Sequence, residues 1–139
     1  MGASPPAGRF ASQFAPWQRR VLEALLLGAL DEPPPIEDVA KDCGLSTRQF
    51  IRLFNGTYGL APHEWLMQNR VERAKEMLLK TMLDVSTIAR QCGFADGSHM
   101  ARVFRRWNCV SPGAYRRTQK MIRLRAASRA GEEARPSDA

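Results

Sequence analysis

Read along its apolar positions, the chain falls into short stripes at helical spacing separated by capped turns. Ile36, Val39, Ala40 and Cys43 recur at intervals of three and four, and Gly44 follows, the residue type that ends a helix with positive φ. Ser46 then stands three residues before Gln49, the capping-box arrangement, and starts a second helix. Phe50, Leu53 and Phe54 lie on one side of it, leaving Thr47, Arg48, Ile51 and Arg52 nearer the other, so its open side is basic. Two helices joined by a short turn containing glycine make a helix-turn-helix pattern.

The same order of residues then returns. Ala40-Lys41-Asp42-Cys43-Gly44 is echoed by Ala89-Arg90-Gln91-Cys92-Gly93, and Arg52-Leu53-Phe54 by Arg102-Val103-Phe104. Pro62 matches Pro112 and Trp65 matches Tyr115, with one extra residue taken up in the Phe94-Ala95-Asp96 stretch. A supersecondary unit has been duplicated. In the second copy Val85, Ile88, Ala89 and Cys92 form the buried stripe after an Asp84 cap. Asp96 caps a helix to Asn108 whose inner positions are Met100, Val103, Phe104 and Trp107. Gly97, Ser98, His99, Ala101, Arg102 and Arg105 fall outward.

Between the copies, Pro62 occupies a first helical position, and Trp65, Leu66, Val71, Ala74, Met77 and Leu78 continue a helical pattern to about Lys80. At ~1.5 Å per residue this helix spans roughly 28 Å, close to the ~34 Å between successive major grooves on one face of a duplex. Ahead of the first copy, Trp17 to Leu30 is apolar around most of its circumference. Leu22, Leu26 and Leu30 can pack inward, while Val21, Leu25 and Leu27 either meet a second chain or an effector domain or simply make a greasy helix.

Charge sharpens the picture. The chain of 139 residues carries a net charge of +7, unevenly spread. Ala101 to Arg125 contains Arg102, Arg105, Arg106, Arg116, Arg117, Lys120, Arg123 and Arg125 and no acidic residue, the electrostatic footprint of a phosphate-binding face. No apolar run approaches the roughly 18 residues of a membrane span, and no basic region with an apolar core opens the chain; a cytoplasmic, unexported protein is expected. Cys43, Cys92 and Cys109 form no CxxC pair, and the two cysteine-glycine pairs read as small buried thiols at helix ends, Cys43 and Cys92, rather than as a metal or redox site with Cys109, His63 and His99. There is no HExxH, phosphate loop or Ser/His/Asp set, so neither an enzyme nor a cofactor is expected.

The segments IEDVAKDCGLSTRQFIRLF, GLAPHEWL, RVERAKEML, VSTIARQCGFADGSHMARVFRRW and VSPGAYRR, spread from Ile36 to Arg117, resemble the DNA-binding domain of the AraC/XylS family of transcription regulators. The resemblance implies an all-α domain of seven helices, with two helix-turn-helix subdomains on a linker helix. The chain then divides into subdomains over 17–61 and 81–125 joined by the helix over 62–80, while composition, rich in Ala, Gly, Ser and Pro over 1–16 and small and polar over 126–139, marks both ends as disordered tails.

Carried over position by position, the resemblance implies base contacts from Thr47, Arg48, Ile51 and Arg52, and from Asp96, Gly97, Ser98, His99 and Arg102. Phosphate contacts would come from Arg105, Arg106, Arg116 and Arg117 and from the helix starts at Pro62 and Pro112. Arg52 and Arg102 stand out because arginine reaches guanine with two parallel hydrogen bonds. His99 either touches nucleic acid or packs on its own turn. Arg70 and Arg73 are expected to pair with acids such as Glu72 and Glu76.

The sequence departs from the family pattern at Pro35, Gly56, Gly97, Asn108 and Cys109. The expected partners are double-stranded promoter DNA and RNA polymerase, with a homodimer or effector-domain contact through residues 17–30. The expected function is sequence-specific regulation, with activation the better guess by analogy. A nonspecific basic binder, or the regulatory part of a DNA-repair enzyme, are the alternatives. Because only 16 residues precede Trp17, the chain is either a small stand-alone member or a C-terminal part.

Overall fold

The computed structural model describes residues 11–134, and within them the chain forms seven helices and no strand. These are α1 (Pro16–Leu27), α2 (Ile36–Asp42), α3 (Thr47–Tyr58), α4 (Pro62–Lys80), α5 (Val85–Gln91), α6 (Gly97–Asn108) and α7 (Pro112–Ala134). The chain divides into two compact units within α4, after Arg70.

The first unit follows from its stripes. Leu22 and Leu26 of α1, Val39 and Ala40 of α2, and Phe50, Leu53 and Phe54 of α3 are at most 1% exposed and close one core with Trp65 and Leu66. The α2–α3 turn is set by Gly44 at φ 71°, which lets the Leu45 N–H reach back to the Ala40 carbonyl at 2.9 Å. The capping box forms as its spacing predicts: Ser46 Oγ accepts from the Gln49 N–H, and Gln49 Oε1 accepts from the Ser46 N–H. Pro35 supplies no side-chain cap to α2, but Glu37 and Asp38 in its first turn complement the helix dipole.

Among the described residues, one polar side chain lies wholly inside. Gln18 is 0% exposed, donates from Nε2 to the Cys43 carbonyl at 3.0 Å and accepts the Ala15 N–H on Oε1 at 2.9 Å. Both ends of the amide are therefore satisfied.

The second unit repeats this plan. Ile88, Ala89, Cys92, Met100 and Phe104 are fully buried, with Val71, Ala74, Leu78 and Phe94 beside them. Asp84 and Asp96 cap α5 and α6 through the Thr87 and His99 N–H groups. The duplication extends to aromatic geometry: Phe54 meets Trp65 edge-on at 5.4 Å between centroids, and Phe104 meets Tyr115 edge-on at 5.4 Å.

The copies differ where α3 and α6 end. Gly59 closes α3 at φ 71°, whereas Cys109 closes α6 at φ 62°, the left-handed region that disfavours any residue with a Cβ. Cys109→Gly is expected to stabilise the second unit by about 1 kcal/mol, the relief of that strain outweighing the extra chain entropy of glycine. Thermal unfolding followed by circular dichroism checks this; a lower melting temperature for the variant would contradict it.

Both expected tails need correction where the structure describes them. Phe14 is only 6% exposed and packs on α3, because its ring completes an aromatic cluster that the small residues around it gave no reason to expect. At the other end α7 continues through residues 126–134, because its alanines and arginines are good helix formers rather than tail residues. The expected tail residues 1–10 and 135–139 lie outside the described residues. In α1, Val21 and Leu25 are half-buried against the core, and Leu27, 39% exposed, is what remains of the expected partner stripe.

Candidate nucleic-acid interface

The exposed side of α3 is made by the same periodicity that buries Phe50, Leu53 and Phe54. Arg48, Ile51 and Arg52 are exposed there, and Thr47 is half-buried in the first turn. Ile51 is a large apolar side chain held 40% exposed between two arginines. It suits contact with a thymine methyl or a sugar. Arg52 already has a protein partner: its Nη1 donates to the Ala11 carbonyl at 2.8 Å.

On α6 the expected residues divide into two roles. Ser98 and Arg102 are exposed on the open side, with Arg105 and Arg106 exposed further along. Asp96 and His99 instead build the start of the helix. Asp96 Oδ1 accepts the His99 N–H at 2.7 Å; His99 Nδ1 accepts the Ala95 N–H at 3.2 Å, and its ring stands edge-on to Phe94. His99 thus packs on the turn. At Gly97 a Cβ would meet nothing closer than Ser86 Oγ at 3.6 Å, ordinary contact, so the fold makes no steric demand for glycine there.

Arg116, expected at phosphates, is engaged within the protein. It is half-buried, with Nε donating to the Leu78 carbonyl at 3.0 Å and Nη2 to the Thr81 carbonyl at 3.3 Å. The Leu78 carbonyl lies in the last turn of α4 and the Thr81 carbonyl just beyond it, where no intrahelical donor reaches, which is why a cation is drawn inward. Arg117 remains exposed. Arg70 is likewise engaged within the protein, with Nε donating to the Leu30 carbonyl at 2.8 Å, while Glu72 and Glu76 pair with Lys75 and Lys80.

Each unit also presents a helix start. Pro62 and Pro112 open α4 and α7, as expected. Ser111 Oγ caps α7 by accepting the Ala114 N–H, whereas Ala61 has no side-chain oxygen to offer α4. Backbone N–H groups at such a start, with the dipole behind them, suit a phosphate.

Cys43 and Cys92 are buried within the two cores. Cys43 Sγ lies 3.8 Å from the Gln18 carbonyl, and burial, followed by the charge of Asp42, pushes its thiol up to about 11, away from a reactive thiolate. Cys92 Sγ sits 3.6 Å from Met77 Sδ. No described helix is long and apolar enough to cross a membrane.

Sequence reasoning missed the backbone that lies against α3. A Cβ on Gly56 would collide with the Ser12 carbonyl oxygen. A glycine inside an otherwise good helix signals such an approach, but nothing in the sequence identified the segment that makes it.

A family model described as a helix-turn-helix domain matches residues 39–118. The transcriptional activator NphR of a Rhodococcus species is 39% identical over 87 residues, covering 63% of this chain and 26% of NphR. The regulator MtrA of Neisseria gonorrhoeae is 31% identical over 104 residues, covering 73% of this chain and 35% of MtrA. The chain therefore spans about a quarter to a third of the length of these curated relatives. Among solved structures, an AraC-type regulator from Chromobacterium violaceum superposes with a TM-score of 0.67 at 28% identity, over 71% of this chain and 88% of that one. The DNA-binding domain of AdpA, solved with a target DNA, gives 0.66 at 32% identity, over 75% of this chain and 96% of that one.

Proposed function

Because the chain belongs to the AraC/XylS family of helix-turn-helix transcription regulators, we propose that it binds a bipartite promoter site and activates transcription from it. Each helix-turn-helix reads one half of the site in its own major groove, and the unbroken α4 joins the two readers. The observation that carries this reading is the equivalence of Arg52 and Arg102, exposed at matching positions of α3 and α6 in a duplicated scaffold. Arginine discriminates guanine through O6 and N7, while Arg105, Arg106 and Arg117 supply attraction to phosphates that carries no sequence information.

Activation is supported by the name given to NphR. In this reading the chain acts by occupying DNA and contacting RNA polymerase in the cytoplasm, and catalyses nothing. Selection from a randomised duplex library at two salt concentrations tests it. The expected result is enrichment of two short elements about one helical turn apart. Retention without enrichment, lost as salt rises, would leave only a nonspecific basic binder.

A further inference from the structure

The end of α4 and the middle of α7 frame an apolar groove of about 410 Å³. Leu78, Leu79 and Met82 line it from the α4 side, and Leu124 and Ala127 from α7. Arg116 ties the two sides together, with Nε on the Leu78 carbonyl at 3.0 Å and Nη2 on the Thr81 carbonyl at 3.3 Å. Thr81 in turn orders the bend after α4: its Oγ1 donates to the Met77 carbonyl at 2.7 Å and accepts the Leu83 N–H at 3.3 Å. The groove is thus built before anything enters it.

Its apolar edges stand in water. Met82 is 92% exposed and Leu124 62%, and every residue of α7 from 120 to 132 is exposed. A methionine held outward on an ordered bend contributes little to its own unit, and its pliable thioether adapts to an apolar partner.

Charge decides what kind of partner. Lys120 and Arg123 line the same groove, and among the described residues neither has an ion pair. From Pro112 to Gly131, α7 carries no acidic residue. On the α4 side Glu76 is paired with Lys80, and Asp84 caps α5 through the Thr87 N–H. A second copy would set the same cations against these and be repelled. DNA would answer the charge but leave the apolar walls wet, and Leu124 lies about 18 Å along α7 from the helix start at Pro112. Walls this exposed do not enclose a small molecule, which needs most of its surface covered. One face of a helix suits them: apolar side chains at i, i+3 and i+7 enter the groove, and carboxylates beside them meet Lys120 and Arg123.

We propose that this groove docks an acidic amphipathic helix of a partner protein. Neither α3 nor α6 lines it, so docking and base reading are separable by experiment.

The test uses the full chain and fluorescence anisotropy of a stapled helical peptide with leucine at i, i+3, i+4 and i+7 and glutamate at the flanking positions, beside a twin in which lysine replaces glutamate. The glutamate peptide should bind, less tightly as salt rises, and the lysine twin should not. Met82→Gln and Leu124→Gln should each weaken peptide binding roughly tenfold, and Lys120→Gln and Arg123→Gln roughly threefold. Met82→Gln and Leu124→Gln alter exposed side chains, so both should fold, as circular dichroism will show, and keep their affinity for duplex DNA within about twofold.

No binding of the glutamate peptide, equal binding of its twin, or binding indifferent to Met82→Gln and Leu124→Gln would overturn the proposal. So would a dimer of the peptide-free chain in sedimentation equilibrium that Leu124→Gln dissolves, which would give the groove to a second copy. Equal loss of duplex and peptide affinity in the glutamine variants would give it to DNA, with the same result.

Discussion

Phe54→Ala is expected to abolish stable folding of the first unit or bring it to the edge of unfolding. The ring is 0% exposed and lies within 6.0 Å, centroid to centroid, of Phe14, Phe50, Tyr58 and Trp65, so its removal opens a cavity lined by four aromatic neighbours. Losses of this kind cost about 3–5 kcal/mol, against a total stability on the order of 5–15 kcal/mol for a whole domain. The cost is concentrated because those aromatics pack on one another: Tyr58 at 4.5 Å and Trp65 at 5.4 Å both lose their shared neighbour. Thermal unfolding followed by circular dichroism should show a transition lowered by about 10 °C or more, or lost. Phe54→Leu, which keeps much of the volume, should fall between. A shift of only a degree or two in the alanine variant would mean that the cluster does not hold the unit together.

The second large effect concerns recognition. Arg102→Ala should relax preference at one base pair by roughly 1–3 kcal/mol, while Arg105→Ala should weaken binding to all duplexes alike and lower the salt dependence by about one ion. The contrast follows from position on α6: Arg102 lies exposed at mid-helix, and Arg105 lies in the last turn, beside Arg106. Titrating the selected duplex and its single-base variants at two salt concentrations separates the two. If Arg102→Ala weakened every duplex equally, Arg102 would be a phosphate contact and α6 would not read through it.

Much of this architecture was legible because it is written in local signals. Ser46 with Gln49, Asp84, Asp96, and the cysteine-glycine pairs at 43–44 and 92–93 each fix a helix end by chemistry within a few residues. The repeat then made the second unit readable from the first, down to the matched pairs Phe54–Trp65 and Phe104–Tyr115.

What escaped depends on partners distant in sequence. Nothing around Arg116 shows that it will turn inward to the Leu78 and Thr81 carbonyls, 38 and 35 residues away. Phe14 stands among small residues that look like a tail, and its burial rests on α3 residues some forty positions on. The extension of α7 was missed for the opposite reason: its side chains over 126–132 are exposed, so no apolar stripe announces it, and only propensity favours the helix.

The buried amide of Gln18 bears on which sequences can adopt this fold. Its oxygen must accept at Ala15 while its nitrogen donates at Cys43, and the Cys43 thiol in turn lies against Gln18's own carbonyl. Leucine or methionine fills the volume but strands a backbone donor and a backbone acceptor; glutamate supplies no donor, and asparagine is one carbon too short to reach both. The position therefore has a substitution spectrum close to a single residue type. A homologue lacking glutamine there must either supply another bridge between these two backbone groups or set α1 against α2 in a different register.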